Sequence, residues 1–76
     1  MPIAEAIFAR LKFLLGSSRL SNLTFSRIVE SCLKLVNDRF SKGEISLSDL
    51  FQWINDGFFD IEFKKIIAYW EKIERE

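Results

Sequence analysis

The side chains that perform most enzyme chemistry are sparse in this sequence. It contains no histidine and a single cysteine, Cys32, among 76 residues. Without histidine, the commonest general base and metal ligand is missing, and no serine can be activated by an imidazole. A single cysteine can form neither a thiolate zinc site nor an intramolecular disulfide. We therefore expect a non-enzymatic protein with no catalytic residue, no cofactor and no metal ion.

Cys32 and two aspartates are the remaining candidates for chemistry. Cys32 lies in the middle of an apolar stripe, where cysteine behaves as a small buried hydrophobe rather than as a nucleophile. Asp56 and Asp60 flank Gly57, and two carboxylates this close in sequence could transfer a proton. Their position around a glycine instead indicates a turn followed by a helix cap.

Residues 38–49 resemble the calcium-binding loop of an EF-hand. Asp38 stands at the first position of that pattern and Gly43 at the sixth. Phe40 and Lys42 occupy the third and fifth positions, where calcium needs oxygen ligands. Because a glycine turn followed by a capped helix produces most of the same pattern, we expect no calcium binding.

The spacing of apolar residues predicts four helices. Three glycines each follow an apolar stretch of helical periodicity, the position at which glycine commonly ends a helix. The predicted helices span Pro2 to Leu15, Thr24 to Ser41, Leu47 to Asn55 and Asp60 to Arg75. The predicted fold class is therefore all-α, a compact, four-helix bundle-like single domain of residues 1–76 with short connections.

Several of these helices carry start signals. Pro2 is suited to a first helical turn. Asn22 or Thr24 could cap the second helix through a side-chain oxygen. Ser46 followed by Asp49 has the spacing of a capping box and predicts the start of the third helix.

The location expected from the sequence is the cytoplasm. No apolar run is long enough to cross a bilayer. Glu5, Arg10 and Lys12 interrupt the apolar beginning of the chain, where a signal peptide needs an unbroken core. The first helix has only these two cations and a thin polar face, which argues against binding at a membrane surface.

Nucleic acid is the alternative partner for a small helical protein. The second and third predicted helices could imitate a helix-turn-helix, which would make the protein a DNA-binding transcription regulator. The third helix, however, contains Asp49 and no lysine or arginine, and the sequence pI is near 6.3. Phosphates would repel such a recognition helix, so DNA contact would depend on Arg19, Arg27 and Lys34.

Protein–protein contact is the function that the sequence favours. The apolar residues slightly outnumber the core positions of four short helices, and aromatic side chains outside a core are typical of interfaces. The alternative is that the first helix is central and packed on two sides. The predicted interface residues are Ala6, Ala9, Phe13, Trp53, Ile61 and Ile67.

The charge distribution adds a second reason to expect self-association. Residues 1–42 carry seven basic and three acidic residues, whereas residues 43–76 carry four basic and eight acidic residues. Two copies could therefore place opposite charges against each other. We expect a small helical adaptor, regulator or small subunit that acts through a protein partner and associates as a homodimer.

Overall fold

The chain forms four α-helices joined by short turns in a computed structural model that describes residues 2–43 and 45–76. The helices are α1 (Pro2–Leu15), α2 (Asn22–Ser41), α3 (Leu47–Asn55) and α4 (Asp60–Arg75). The all-α, four-helix prediction is confirmed. Over these residues, no helix combines the length and the apolar character that a bilayer crossing requires.

Local side-chain caps define where α2 and α3 begin. The Ser46 hydroxyl accepts a hydrogen bond from the Asp49 amide at 3.1 Å, as the spacing of these two residues predicts. At α2 the prediction of Asn22 or Thr24 as the cap is wrong. Ser21 takes that role and accepts from the Thr24 amide at 3.2 Å, which places Thr24 inside the helix, where it is buried.

The first helix, α1, is the centre of the molecule. It contacts all three other helices, while α2 packs along α4 and α3 rests chiefly on α1. The core is built from twelve apolar side chains drawn from all four helices and the turn before α4: Ile3, Ala6, Ile7, Leu11, Ile28, Cys32, Val36, Leu50, Ile54, Phe59, Phe63 and Ile67.

This central position corrects part of the predicted interface. Ala6 and Ile67 were expected outside the core, and both are buried within it. The physical reason is that α1 has three neighbours and that α4 packs against both α1 and α2. Each of these helices therefore buries more of its circumference than a single apolar face. Conversely, Phe8 and Phe40 share the helical spacing of the apolar residues of α1 and α2, which predicts burial, but they are 41% and 40% exposed.

Two polar contacts fasten α2 to α4. The Glu74 carboxylate accepts hydrogen bonds from the Ser21 hydroxyl at 2.6 Å and the Ser21 amide at 3.0 Å. The Ser21 hydroxyl is the main cause that lowers the pKa of Glu74. The Trp70 indole donates to the Ser31 hydroxyl at 3.1 Å. Together these contacts fix the register of the two helices near the C-terminal end of α4.

The turn between α3 and α4 requires glycine for two independent reasons. Gly57 has a φ of +87°, a conformation that side chains disfavour. A Cβ atom placed there would also lie 2.6 Å from Nη2 of Arg10 and 2.8 Å from Oδ2 of Asp60. Gly16 has a φ of +58°, but a Cβ atom there would meet nothing within 4 Å.

We expect Gly57→Ala to destabilise the fold more than Gly16→Ala. The Gly16 substitution should cost about 1–2 kcal/mol, the penalty of the left-handed conformation alone. The Gly57 substitution should cost at least ~1 kcal/mol more, because Arg10 and Asp60 must move apart. Urea unfolding of both variants at neutral pH measures the difference. Equal losses would show that the space above Gly57 has no structural importance.

Candidate functional site

The side chain of Arg10 connects α1 to the turn between α3 and α4. Its Nε donates to Oδ1 of Asp60 at 2.9 Å, and its Nη2 donates to Oδ2 at 2.6 Å. Its Nη1 donates to the carbonyl oxygen of Asn55, the last residue of α3, at 3.4 Å. The two parallel bonds to Asp60 form the bidentate geometry that makes arginine–carboxylate pairs specific in direction.

This pair corrects the predicted role of Asp60 as a helix cap. No side chain caps α4, and Asp60, its first residue, turns its carboxylate to Arg10. Both side chains are only 21% exposed. The hydrogen bond from Arg10 lowers the pKa of Asp60, an effect that partial burial opposes. The same bond raises the pKa of Arg10.

The guanidinium group of Arg10 is also covered by an aromatic ring. Its Cζ lies 4.6 Å from the ring centroid of Phe13, one turn further along α1. A cation over an aromatic face is attracted by the ring quadrupole, an interaction worth about 0.5–1 kcal/mol at an exposed site. Phe13 therefore packs on the guanidinium group although it is 69% exposed.

Large exposed apolar side chains lie near both members of this ion pair along the chain. Phe13 lies three residues after Arg10, while Phe58 and Ile61 lie within two residues of Asp60. Phe58 is 56% exposed and Ile61 is 69% exposed. We call the ion pair together with Phe13, Phe58 and Ile61 the Arg10 surface. Its arginine and its two phenylalanines are residue types that are enriched in protein interfaces.

The structure brings only some of the predicted interface residues to this surface. Phe13 and Ile61 belong to it, and the exposed Ala9 adjoins Arg10. Trp53 is partly buried beneath Phe58, with ring centroids 4.6 Å apart. Ala6 and Ile67, as shown above, are in the core.

Arg10, Asp60 and Phe58 are the members of the surface that the predicted interface did not include. A signal for Arg10 was present, because it is spaced three residues from Ile7 and four from both Ala6 and Leu14, all on the inner side of α1. A charged residue on the inner side of a helix needs a partner. Nothing in the local sequence identifies that partner as Asp60, which is 50 residues away.

Cys32 occupies the interior position that its sequence context predicts. Its side chain is buried on α2 as a free thiol. Burial raises the pKa of Cys32 to about 12. Because the thiolate is the reactive form, this thiol is protected by both its protonation and its position.

The EF-hand-like segment does not have the geometry of a calcium loop. Asp38 still belongs to α2, which continues to Ser41, so the first four positions of the pattern are helical. The ammonium group of Lys42 lies 3.4 Å from Oδ2 of Asp38 and neutralises it. Glu44 lies outside the described residues. Within residues 2–43 and 45–76, no three acidic or cysteine side chains come together in a way that could hold a metal ion.

No protein-family model, curated protein or solved structure matches this chain. Its function is therefore inferred from the Arg10 surface and from general physical chemistry.

We expect Asp60→Asn to cost about 1–2 kcal/mol of stability at pH 7, between the values for exposed and buried ion pairs. Since folding lowers the pKa of Asp60, this stabilisation is complete above the unfolded value of about 3.9 and is lost as the pH falls through the folded value. The difference from wild type should stay constant between about pH 7 and 5 and shrink below about pH 4. Urea unfolding across this pH range measures it.

The matched control for this experiment is Asp38→Asn, which removes an exposed ion pair to Lys42. That variant should lose less than about 0.5 kcal/mol. Equal losses for both aspartates, or a loss at Asp60 that persists in acid, would contradict a structural role for the Arg10–Asp60 pair.

Cys32 should react with a thiol reagent about a thousandfold or more slowly in the native state than in denaturant, because reaction requires opening of the core. Cys32→Ser should lose roughly 1–3 kcal/mol, since it buries a hydroxyl in place of a thiol. Reagent kinetics at mildly alkaline pH and urea unfolding provide the two measurements. Similar reaction rates in both states would place Cys32 on the surface.

Proposed function

We propose that this chain is a non-enzymatic, cytoplasmic protein-binding domain that self-associates through the Arg10 surface. It acts as an adaptor, regulator or small subunit. The observation that carries this proposal is the exposure of three large apolar side chains next to the Arg10–Asp60 pair: Phe13, which packs on Arg10, and Phe58 and Ile61, which lie within two residues of Asp60 in the chain. Covering these side chains with a partner removes apolar surface from water, which lowers the free energy of the complex relative to the separate molecules.

Two contacts within the surface support binding. Phe13 is packed on Arg10, and Phe58 is stacked on Trp53 with ring planes 28° apart. Side chains that make such contacts in the free protein lose less conformational entropy when a partner binds. Aromatic and arginine residues in such positions dominate binding energy in many interfaces.

A second copy of the chain is the partner that charge and symmetry favour. A two-fold pairing buries the same apolar patch on both copies, so one surface supplies both sides of the interface. The acidic α3 carries Asp49 and no basic residue, whereas exposed basic residues such as Arg27 and Lys34 lie on α2. When the basic half of one copy contacts the acidic half of the other, electrostatic attraction adds to the free energy gained by burying apolar surface.

The geometry gives less support to the DNA-binding alternative. In a helix-turn-helix the recognition helix projects from its partner helix into the major groove. Here α3 rests chiefly on α1 and makes only marginal contact with α2. Its described residues include no lysine or arginine that could contact phosphate.

Phe13→Ser tests the proposal by sedimentation equilibrium. The wild type should have an apparent mass near twice the chain mass of 8.9 kDa at micromolar concentration, and the variant should have the chain mass. Because Phe13 is exposed, its loss removes a cation–π contact of only about 0.5–1 kcal/mol. The variant should therefore remain folded by circular dichroism.

The matched control is Leu23→Ser in the first turn of α2. Leu23 is 61% exposed and lies two residues from Ser21, which binds Glu74 at the opposite end of α4 from Asp60. This variant should remain dimeric. A wild type that stays monomeric up to about 1 mM, where association is worth less than about 4 kcal/mol, would refute self-association.

A further inference from the structure

A groove with largely apolar walls lies between α1 and α2, away from the Arg10 surface. It has a volume of about 490 Å³ and opens to solvent. We call it the Lys12 groove; the lining residues that matter here are Phe8, Lys12, Leu15, Leu20, Asn22 and Phe25. Lys12 is two residues from Arg10, which places it about 200° around the helix. The two surfaces are therefore on different sides of α1.

Two aromatic rings form the floor of the groove in the absence of a partner. Phe8 and Phe25 meet edge to face with ring centroids 5.0 Å apart. The ammonium group of Lys12 lies over the face of the Phe8 ring, 4.8 Å from its centroid, so a positive charge stands on the apolar floor itself. A partner must therefore bring both apolar and negatively charged groups.

We propose that the Lys12 groove binds an acidic amphipathic helix of a partner protein. Lys12 is the one charged side chain among the described residues that line the groove, and none of them carries a carboxylate. Glu74 lines a different pocket together with Arg19 and Arg75. An acidic helix thus finds a complementary charge and no carboxylate among the residues that line the groove.

The dimensions of the groove suit a helix. Phe8, Lys12 and Leu15 follow the i, i+4, i+7 spacing of one helix face and span about 10 Å of α1. That distance corresponds to about two turns of a partner helix, which can place an apolar side chain on the floor from each turn. Charged side chains on the flanks of such a helix would lie beside Lys12.

The experiment uses a synthetic amphipathic peptide with leucine on one face and glutamate on the other, titrated into the ¹⁵N-labelled full chain. A matched peptide carries lysine in place of every glutamate. The acidic peptide should produce saturable amide shifts at residues of the Lys12 groove, and the basic peptide should bind at least about tenfold more weakly.

Charge reversal at two lysines locates the site. Lys12→Glu should weaken the acidic peptide at least about tenfold. Lys34→Glu makes the same charge change on α2, in a different groove beside Arg27 and Trp70, and should leave binding nearly unchanged. Phe13→Ser should also retain peptide binding, so this inference and the proposed self-association can fail separately.

Three outcomes would overturn the inference. Absence of saturable shifts would show that the groove has no affinity for an acidic helix. Equal weakening by both lysine substitutions would show unspecific attraction to net charge. Shifts centred on Phe13 and Ile61 would place the peptide on the Arg10 surface instead.

Discussion

One guanidinium group links the first helix to both ends of the turn between α3 and α4. The apolar anchor of this turn is Phe59, which is 1% exposed and belongs to the core. Arg10 adds a polar fixed point by binding both the last carbonyl of α3 and the first carboxylate of α4. Gly57 lies directly against this pair, where any Cβ atom would collide with it. The energy of the pair is modest, but its bidentate geometry allows one arrangement of the turn.

The central helix α1 has two different solvent-facing sides. On one side Arg10 contacts Phe13 and the start of α4, next to apolar groups at the surface. On another side Phe8 remains 41% exposed, although Phe25 of α2 meets it edge to face. A central helix with three neighbours thus buries its inner face and still leaves two apolar areas in contact with water. Such areas on a small domain are typical of binding surfaces.

The sequence predicted the helix ranges well, but it predicted less well which residues are buried between helices or paired across them. Three of the four helix ranges agree with the structure because glycine, capping serine and apolar spacing act locally. The start of α2 was missed because cap-competent residues adjoin there, and local preference does not choose between Ser21 and Asn22. The burial of Ala6 and Ile67 depends on which helices become neighbours, which periodicity within one helix does not encode. Of the candidate surface, the sequence predicted Phe13 and Ile61, because both lie off the apolar face of their helix. It did not predict the pairing of Arg10 with Asp60, because these residues are 50 positions apart in the chain.

Self-association rests on the side chains around Arg10, which are proposed to form the contact between two copies of the chain. An isotope-filtered nuclear Overhauser experiment on an equimolar mixture of ¹³C-labelled and unlabelled protein tests this contact. Intermolecular signals are expected between the Phe13 ring of one copy and the Phe13 or Ile61 side chain of the other. Absence of intermolecular signals at concentrations that give a dimer mass, or signals confined to exposed residues of α3 such as Leu47, would contradict it.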